Sequence, residues 1–213
     1  MAATLPSGIT LRSPSKYTSS TTPAQSSSSS SSPPPPTLDW LHRTWTVTHS
    51  TLTMWRTARN VRITYKPLPG SAAGAPRLDD LVEYEPTGAS TPKLKTVAGV
   101  DTAAGADTTA WDWRGSGLLF FVSSHWEVLG SGERPLPGGG VERWAVTWFA
   151  PTLFTKEGLD VYCDRSEGIS EEAYAEVLAA LRRLEARPVV DMVEADMRPV
   201  EIRLPWLEGK GGQ

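Results

Sequence analysis

The sequence is short of the residue types that carry most metal and nucleophile chemistry: 213 residues contain one cysteine and three histidines. A lone Cys163 excludes an internal disulfide and a four-cysteine zinc site. It fits a reducing compartment, and its plainest role is that of a small residue on a strand. Acidic and basic residues are mixed to a formal charge of −3, so no basic stripe faces a phosphate backbone and no nucleic-acid partner is expected. No apolar run approaches the ~18 residues of a membrane span. The longest, Leu118 to Val122, reads as one strand. There is no Gly-x-Ser-x-Gly elbow, phosphate loop or dinucleotide fingerprint, and no cofactor is expected. Gly138 to Gly140 follow Pro137 and precede a strand, which makes them a turn. His42, His49 and His125 lie far apart with no supporting motif, so no metal site is expected.

What is abundant is tryptophan, nine against only four phenylalanines. Trp lines pockets well and is equally good core material. Residues 1–37 are rich in Ser, Thr, Pro and Ala. The run Ser26 to Ser32 followed by Pro33 to Pro36 lacks the apolar side chains for a core, so a disordered tail is expected there. No acid precedes Asp39, while Arg12 and Lys16 are basic. A mitochondrial transit peptide is therefore the alternative to a cytoplasmic location. Residues 38–208 are expected to fold as one domain and 209–213 to form a flexible C-terminus.

The domain opens with a helical turn at Thr37 to His42, capped by Thr37 or Asp39. Strands are expected at Arg43–His49, Asn60–Lys66, Asp80–Glu85, Leu94–Asp101, Gly117–Ser123, His125–Leu129, Val141–Ala150 and Gly158–Cys163, with Gly- and Pro-bearing loops between them. Ser50 to Arg59 breaks the alternation and suggests a short helical lid carrying Leu52 and Trp55. Strands this closely spaced, without intervening helices, form an antiparallel barrel or sandwich. One strong helix is predicted at Ser170–Arg187, with Glu171 and Glu172 at its positive end and Pro188 stopping it. A last strand is expected at Val200–Leu204.

The run Asp39-Trp40-Leu41-His42-Arg43-Thr44-Trp45 resembles the start of a calycin barrel, where a short turn leads into a Gly-x-Trp strand. Trp45 matches the tryptophan, and Arg43 stands where the glycine belongs. The stretches Trp45 to Tyr65 and Trp111 to Gly130 are similar to fungal lipocalin-like proteins of the calycin superfamily. The resemblance implies a mainly β fold, a single antiparallel up-and-down β-barrel with one helix in the C-terminal region, holding a small apolar ligand. It names no substrate. It also implies an arginine near the last strand packed over the barrel-closing tryptophan, and Arg203 is the candidate.

Strand alternation puts His125 and Glu127 on one face and Trp126 and Val128 on the other. A histidine beside a carboxylate can act as an acid–base pair, with Arg114 to bind an oxyanion. The plainer reading, which the sequence favours, has Trp126 in the core and the pair outside. Along Val141–Ala150 either Trp144 and Trp148 or Ala145, Thr147 and Phe149 face the interior. The Thr147 set, with one hydroxyl to orient a guest, suits a cavity better. Candidate ligand contacts are His49, Trp55, Tyr65, Trp113, Thr147 and Phe149. Three functions stay open: binding of a small apolar or aromatic molecule; a cofactor-free isomerase, cyclase or lyase using His125, Glu127 and Arg114; or a protein-interaction module. The oligomeric state is not specified.

Overall fold

The computed structural model describes residues 8–18, 33–71, 74–105, 107–152 and 155–208. Eight antiparallel strands follow one another around a closed sheet: β1 (Thr44–Ser50), β2 (Ala58–Leu68), β3 (Arg77–Pro86), β4 (Lys95–Ala103), β5 (Ala110–Gly115), β6 (Ser123–Pro135), β7 (Val141–Phe149) and β8 (Gly158–Cys163). Each strand pairs with its chain neighbour, and β8 returns to β1, which also pairs with β2. The fold is the expected up-and-down barrel.

Closure gives every strand an inner and an outer face. The inner face collects Trp45, Val47, Val61, Ile63, Tyr65, Leu78, Trp111, Trp126 and Val128. A second core lies outside the barrel. Trp144, Val146 and Trp148 of β7 and Leu159 and Val161 of β8 project outward and are covered by α2 (Glu171–Arg182) and α3 (Arg187–Asp196). The expected single helix is thus two. Ser170 caps α2 by accepting a hydrogen bond from the Ala173 N–H. Pro188 does not stop that helix. It sits in the first turn of α3, where its missing N–H costs nothing.

Two other expectations are corrected. Gly117 to Ser123 is not a strand: Gly117–Leu119 is a 3-10 turn, and Leu118, Phe120 and Phe121 are exposed. The true strand lies just before it, at Ala110–Gly115. Val200 to Leu204 does not form a strand either. The final strand is the two-residue β9 (Arg198–Pro199). With the residues after it, it fills the seam where β1 and β2 part: Val200 N–H donates to the Thr48 carbonyl (2.9 Å), and Asn60 N–H to that of Glu201 (2.8 Å).

One end of the barrel is plugged by α1 (Leu38–Leu41), whose cap is Thr37. The indole N–H of Trp45 donates to the Leu41 carbonyl (3.1 Å), and the Arg43 guanidinium lies 5.4 Å from the Trp45 ring and 5.5 Å from that of Trp40. Arg43 therefore covers the barrel-closing tryptophan from the position where a glycine was expected. Arg203 does not: it is exposed and pairs with Glu201.

Residues 8–18 belong to the segment expected as a disordered tail, yet they lie against β6. Arg12 N–H donates to the Leu129 carbonyl (2.8 Å) and its side chain to the Glu127 carboxylate (2.6 Å), which also accepts from the Ser15 hydroxyl (2.5 Å). Leu11 packs where a side chain at Gly130 would collide with it. The serine run and the C-terminus 209–213 lie outside the described residues.

Two outcomes follow. Arg12→Ala leaves the buried Glu127 without its cation and should cost about 3 kcal/mol in urea unfolding. Arg43→Ala should cost about 1–2 kcal/mol through the lost ring contacts, and Arg203→Ala less than about 0.5 kcal/mol.

Candidate functional site

The inner face is not filled along its whole length. Opposite the α1 plug, at the end carrying the β1–β2 and β7–β8 loops, a cavity of about 150 Å³ opens between the strands. The β1–β2 loop is a 3-10 turn, Thr53–Thr57, within the stretch expected as a lid, and it lays Leu52, Met54 and Trp55 along the cavity. Strand alternation supplies Ile63 and Tyr65 from β2, Asp80 and Val82 from β3, Trp113 from β5, Ser124 and Trp126 from β6, and Phe149 from β7. Asp160 and Tyr162 of β8 complete the far wall. The rings are ordered against each other: Trp126 stacks on Tyr65 at 5.7 Å and on Trp111 at 5.8 Å. Gly99 is required opposite Trp113, since a Cβ there would overlap the indole.

Of the ligand contacts proposed from sequence, Trp55, Tyr65, Trp113 and Phe149 are brought together around this cavity. Thr147 shares the inner face, but its hydroxyl turns to the Asp160 carbonyl (3.4 Å), and it is not part of the cavity wall. His49 is misplaced by the sequence reading. A register shift in β1 between Val47 and His49 turns it outward, where it stacks on Tyr174 of α2 at 3.5 Å. Burial there lowers its pKa to about 4.

The acid–base set also lies outside. His125 bonds Asp112 (2.8 Å) on the outer face, and Glu127 is engaged by Arg12 and Ser15. Burial alone would raise the Glu127 pKa. The bonds from Ser15 and Arg12 outweigh it and hold the carboxyl below its usual value. Arg114 is exposed on the same outer side of β5 as Asp112. None of these three reaches the cavity. Cys163 lies outside it too, and burial pushes its thiol up to about 12, so it carries no thiolate at neutral pH.

The sequence reading missed the acidic groups. Asp80, Asp101 and Asp160 are all buried on the inner face. Asp80 and Asp101 stand diagonally on adjacent strands, where Leu78 pairs with Asp101 and Asp80 with Gly99. They are close enough for each to perturb the other, and Asp101 accepts a hydrogen bond from the Trp126 indole (2.8 Å). Desolvation, with the neighbouring Asp101, lifts Asp80 well above the ordinary range. Desolvation carries Asp101 to about 7 against the bond from Trp126 and the influence of Asp80. Asp160 is raised to about 7 by burial, which outweighs Ser50 and Trp55. One signal in the sequence marks Asp80. It falls in phase with Leu78, Val82 and Tyr84, a polar residue in an apolar row.

A closed eight-stranded up-and-down barrel, plugged by an N-terminal helical turn and open at the other end, defines a lipocalin-like β-barrel. Among solved structures, the chain is similar to lobster apocrustacyanin A1, with 8% identity and a TM-score of 0.44 over 76% of this chain and 78% of that one. No family model matches the sequence, and no curated protein matches it. Among the described residues no helix is long and apolar enough to cross a membrane.

The Asp160 carboxyl predicts a pH signature. It is protonated in the native barrel and ionised in the unfolded chain between its unfolded pKa near 4 and its folded pKa of about 7. The native state thus binds the extra proton, and this contribution to stability is lost as pH rises through that window. The stability gain of Asp160→Asn over the parent should grow by about 3 kcal/mol from about pH 4.5 to about pH 8. Urea melts of both proteins at the two pH values measure it.

Proposed function

We propose that the protein binds a small apolar or aromatic molecule in the open end of its barrel. The carrying observation is the unfilled interior itself, a cavity walled by Trp55, Trp113, Trp126, Tyr65 and Phe149. A barrel whose only task was stability would fill that space, because each void forfeits packing contacts. Aromatic walls offer a guest large apolar area and ring faces at little entropic cost. A cofactor-free enzyme built on His125, Glu127 and Arg114 gains no support, since all three face away from the cavity. An interaction module built on surface tryptophans gains none either: no tryptophan is exposed. Location in the cytoplasm is part of this proposal and rests on the single reduced Cys163.

Ser124 stands at the cavity and is half-buried, so Ser124→Trp fills the opening without disturbing the closed end. Propylbenzene should stabilise the parent chain by about 2.7 kcal/mol at one hundred times its Kd. Ser124→Trp should weaken its binding at least tenfold, while His125→Ala and Arg114→Ala, on the outer face, leave it unchanged. Thermal shift and tryptophan fluorescence read both effects. Equal binding by Ser124→Trp and the parent would remove the cavity as the site.

A further inference from the structure

The walls of the cavity are aromatic, and its buried charged groups are all acidic. Asp80 and Asp160 both line it, and among the described residues each keeps a carboxyl oxygen without a hydrogen-bond partner. The Tyr162 hydroxyl is likewise unpartnered, and so is the second oxygen of Asp101, behind Trp126. All four side chains are more than nine-tenths buried. Among the described residues the unpartnered donors in the wall are the Tyr162 O–H itself and the Trp55 indole N–H, the latter near enough to Asp160 to favour its anion yet without a completed bond. Among the described residues no lysine, arginine or histidine lines the cavity. Leaving a buried polar group unsatisfied costs about 1–3 kcal/mol, more if it is charged. Once a carboxyl here ionises it gives up its own O–H, and the arrangement then lacks donors and positive charge; both can be supplied from one place, the empty space between these groups.

A protonated amine meets each requirement. An ammonium brings up to three N–H donors and a positive charge, and it is attracted to the faces of Trp and Tyr rings as well as to carboxylates. An anionic guest would meet acidic walls with no counter-charge. A purely apolar guest would leave the carboxyl oxygens and the tyrosine hydroxyl as they are. We infer that the cavity selects small organic cations, an aromatic or alkyl primary amine whose ammonium sits between Asp160 and Asp80 with its apolar part against Trp113, Trp126 and Phe149. This rests on the cavity reading above and narrows it.

Such a guest also changes the protonation of its site. An ammonium within about 4–6 Å favours the charged carboxylate. Binding therefore releases a proton wherever the free carboxyl was protonated, and affinity rises with pH until the wall is ionised. The groups facing Asp160 are Tyr162, Ser50, Trp55 and the more distant Arg56; those facing Asp80 are Asp101, Tyr65, Tyr162 and Asp79. Both tyrosines are pushed well above 10, while Asp160 and Asp101 are each raised to about 7.

Three probes of one shape test it on the full chain: phenethylamine, propylbenzene and 3-phenylpropionate, titrated by calorimetry near pH 8 and pH 6. The expected order is amine at least tenfold tighter than propylbenzene, with phenylpropionate weakest. The amine preference should shrink about tenfold in Asp160→Asn, and again on lowering the pH to 6. Asp80→Asn serves as the second variant should the first not fold, with the same loss expected. Propylbenzene bound as tightly as the amine, or an amine preference unchanged in both variants, overturns the cation inference and leaves the cavity reading standing. If none of the three probes binds saturably, the cavity reading fails, and this inference with it.

Discussion

The seam that closes the sheet is the constraint from which the rest of the molecule follows. β1 pairs with β8 on one side and with β2 on the other, but it reaches β2 only through Thr44, Trp45 and Thr46. Beyond that point β2 bends away at Asn60, which adopts a positive φ of 52°. Asparagine tolerates that conformation better than most residues. The backbone groups freed there are taken up by the segment after α3. The Asn60 side chain adds three more bonds: its amide donates to Glu85 and to the Arg203 carbonyl, both at 2.8 Å, and its oxygen accepts from the Arg203 N–H (2.7 Å). A chain segment remote in sequence thus completes a sheet that its own strands leave partly open. Without closure no strand would have a sealed inner side, and neither the cavity nor its carboxyl groups would exist.

Closure also explains the two cores. A barrel of this size needs only one buried face per strand, yet β7 and β8 are largely buried on both. The outward row of Trp144, Val146, Trp148, Leu159 and Val161 would be an exposed patch large enough to drive association. The two helices and residues 8–18 cover it. Trp148 shows how tightly this layer is drawn: its indole donates to Glu157 (2.7 Å), which also accepts from Tyr17 (2.8 Å). Outside the barrel the buried glutamates are met by donors, whereas at its open end Asp80 and Asp160 each keep an oxygen without a partner among the described residues.

That contrast sets the site apart from the rest of the fold. Burying a carboxyl raises its pKa because the charged form loses its hydration. Asp80, Asp101 and Asp160 accept this penalty with few compensating bonds, whereas buried Glu127 and Glu142 are each met by donors, Ser15 and Arg12 for one and Ser170 and Arg165 for the other. Unpaired buried polar groups in one place, beside an unfilled volume, are the usual mark of a site built for a guest rather than for stability.

By itself the sequence determined an antiparallel barrel or sandwich, most strand positions, a capped turn at Thr37 to His42 and the start of α2, and it named four aromatic residues that line the cavity as candidates. These are local properties: alternation, turn residues and capping chemistry act within a few positions of the chain. Only the tertiary structure decided which side of each strand faces inward. In β7 both parities carry apolar residues, so period two alone has no preferred phase, and the β1 register shift that turns His49 outward leaves no mark on composition. The run Leu118 to Val122 has strand-like residues but lies at the rim of the open end, where the chain must turn. The pairing of Arg12 with Glu127, of Arg43 with Trp45, and of Asp80 with Asp101 joins residues set by the curvature of the closed sheet and by chain returning across it. Those separations carry no sequence period, and contacts of that kind exist only once the sheet has closed.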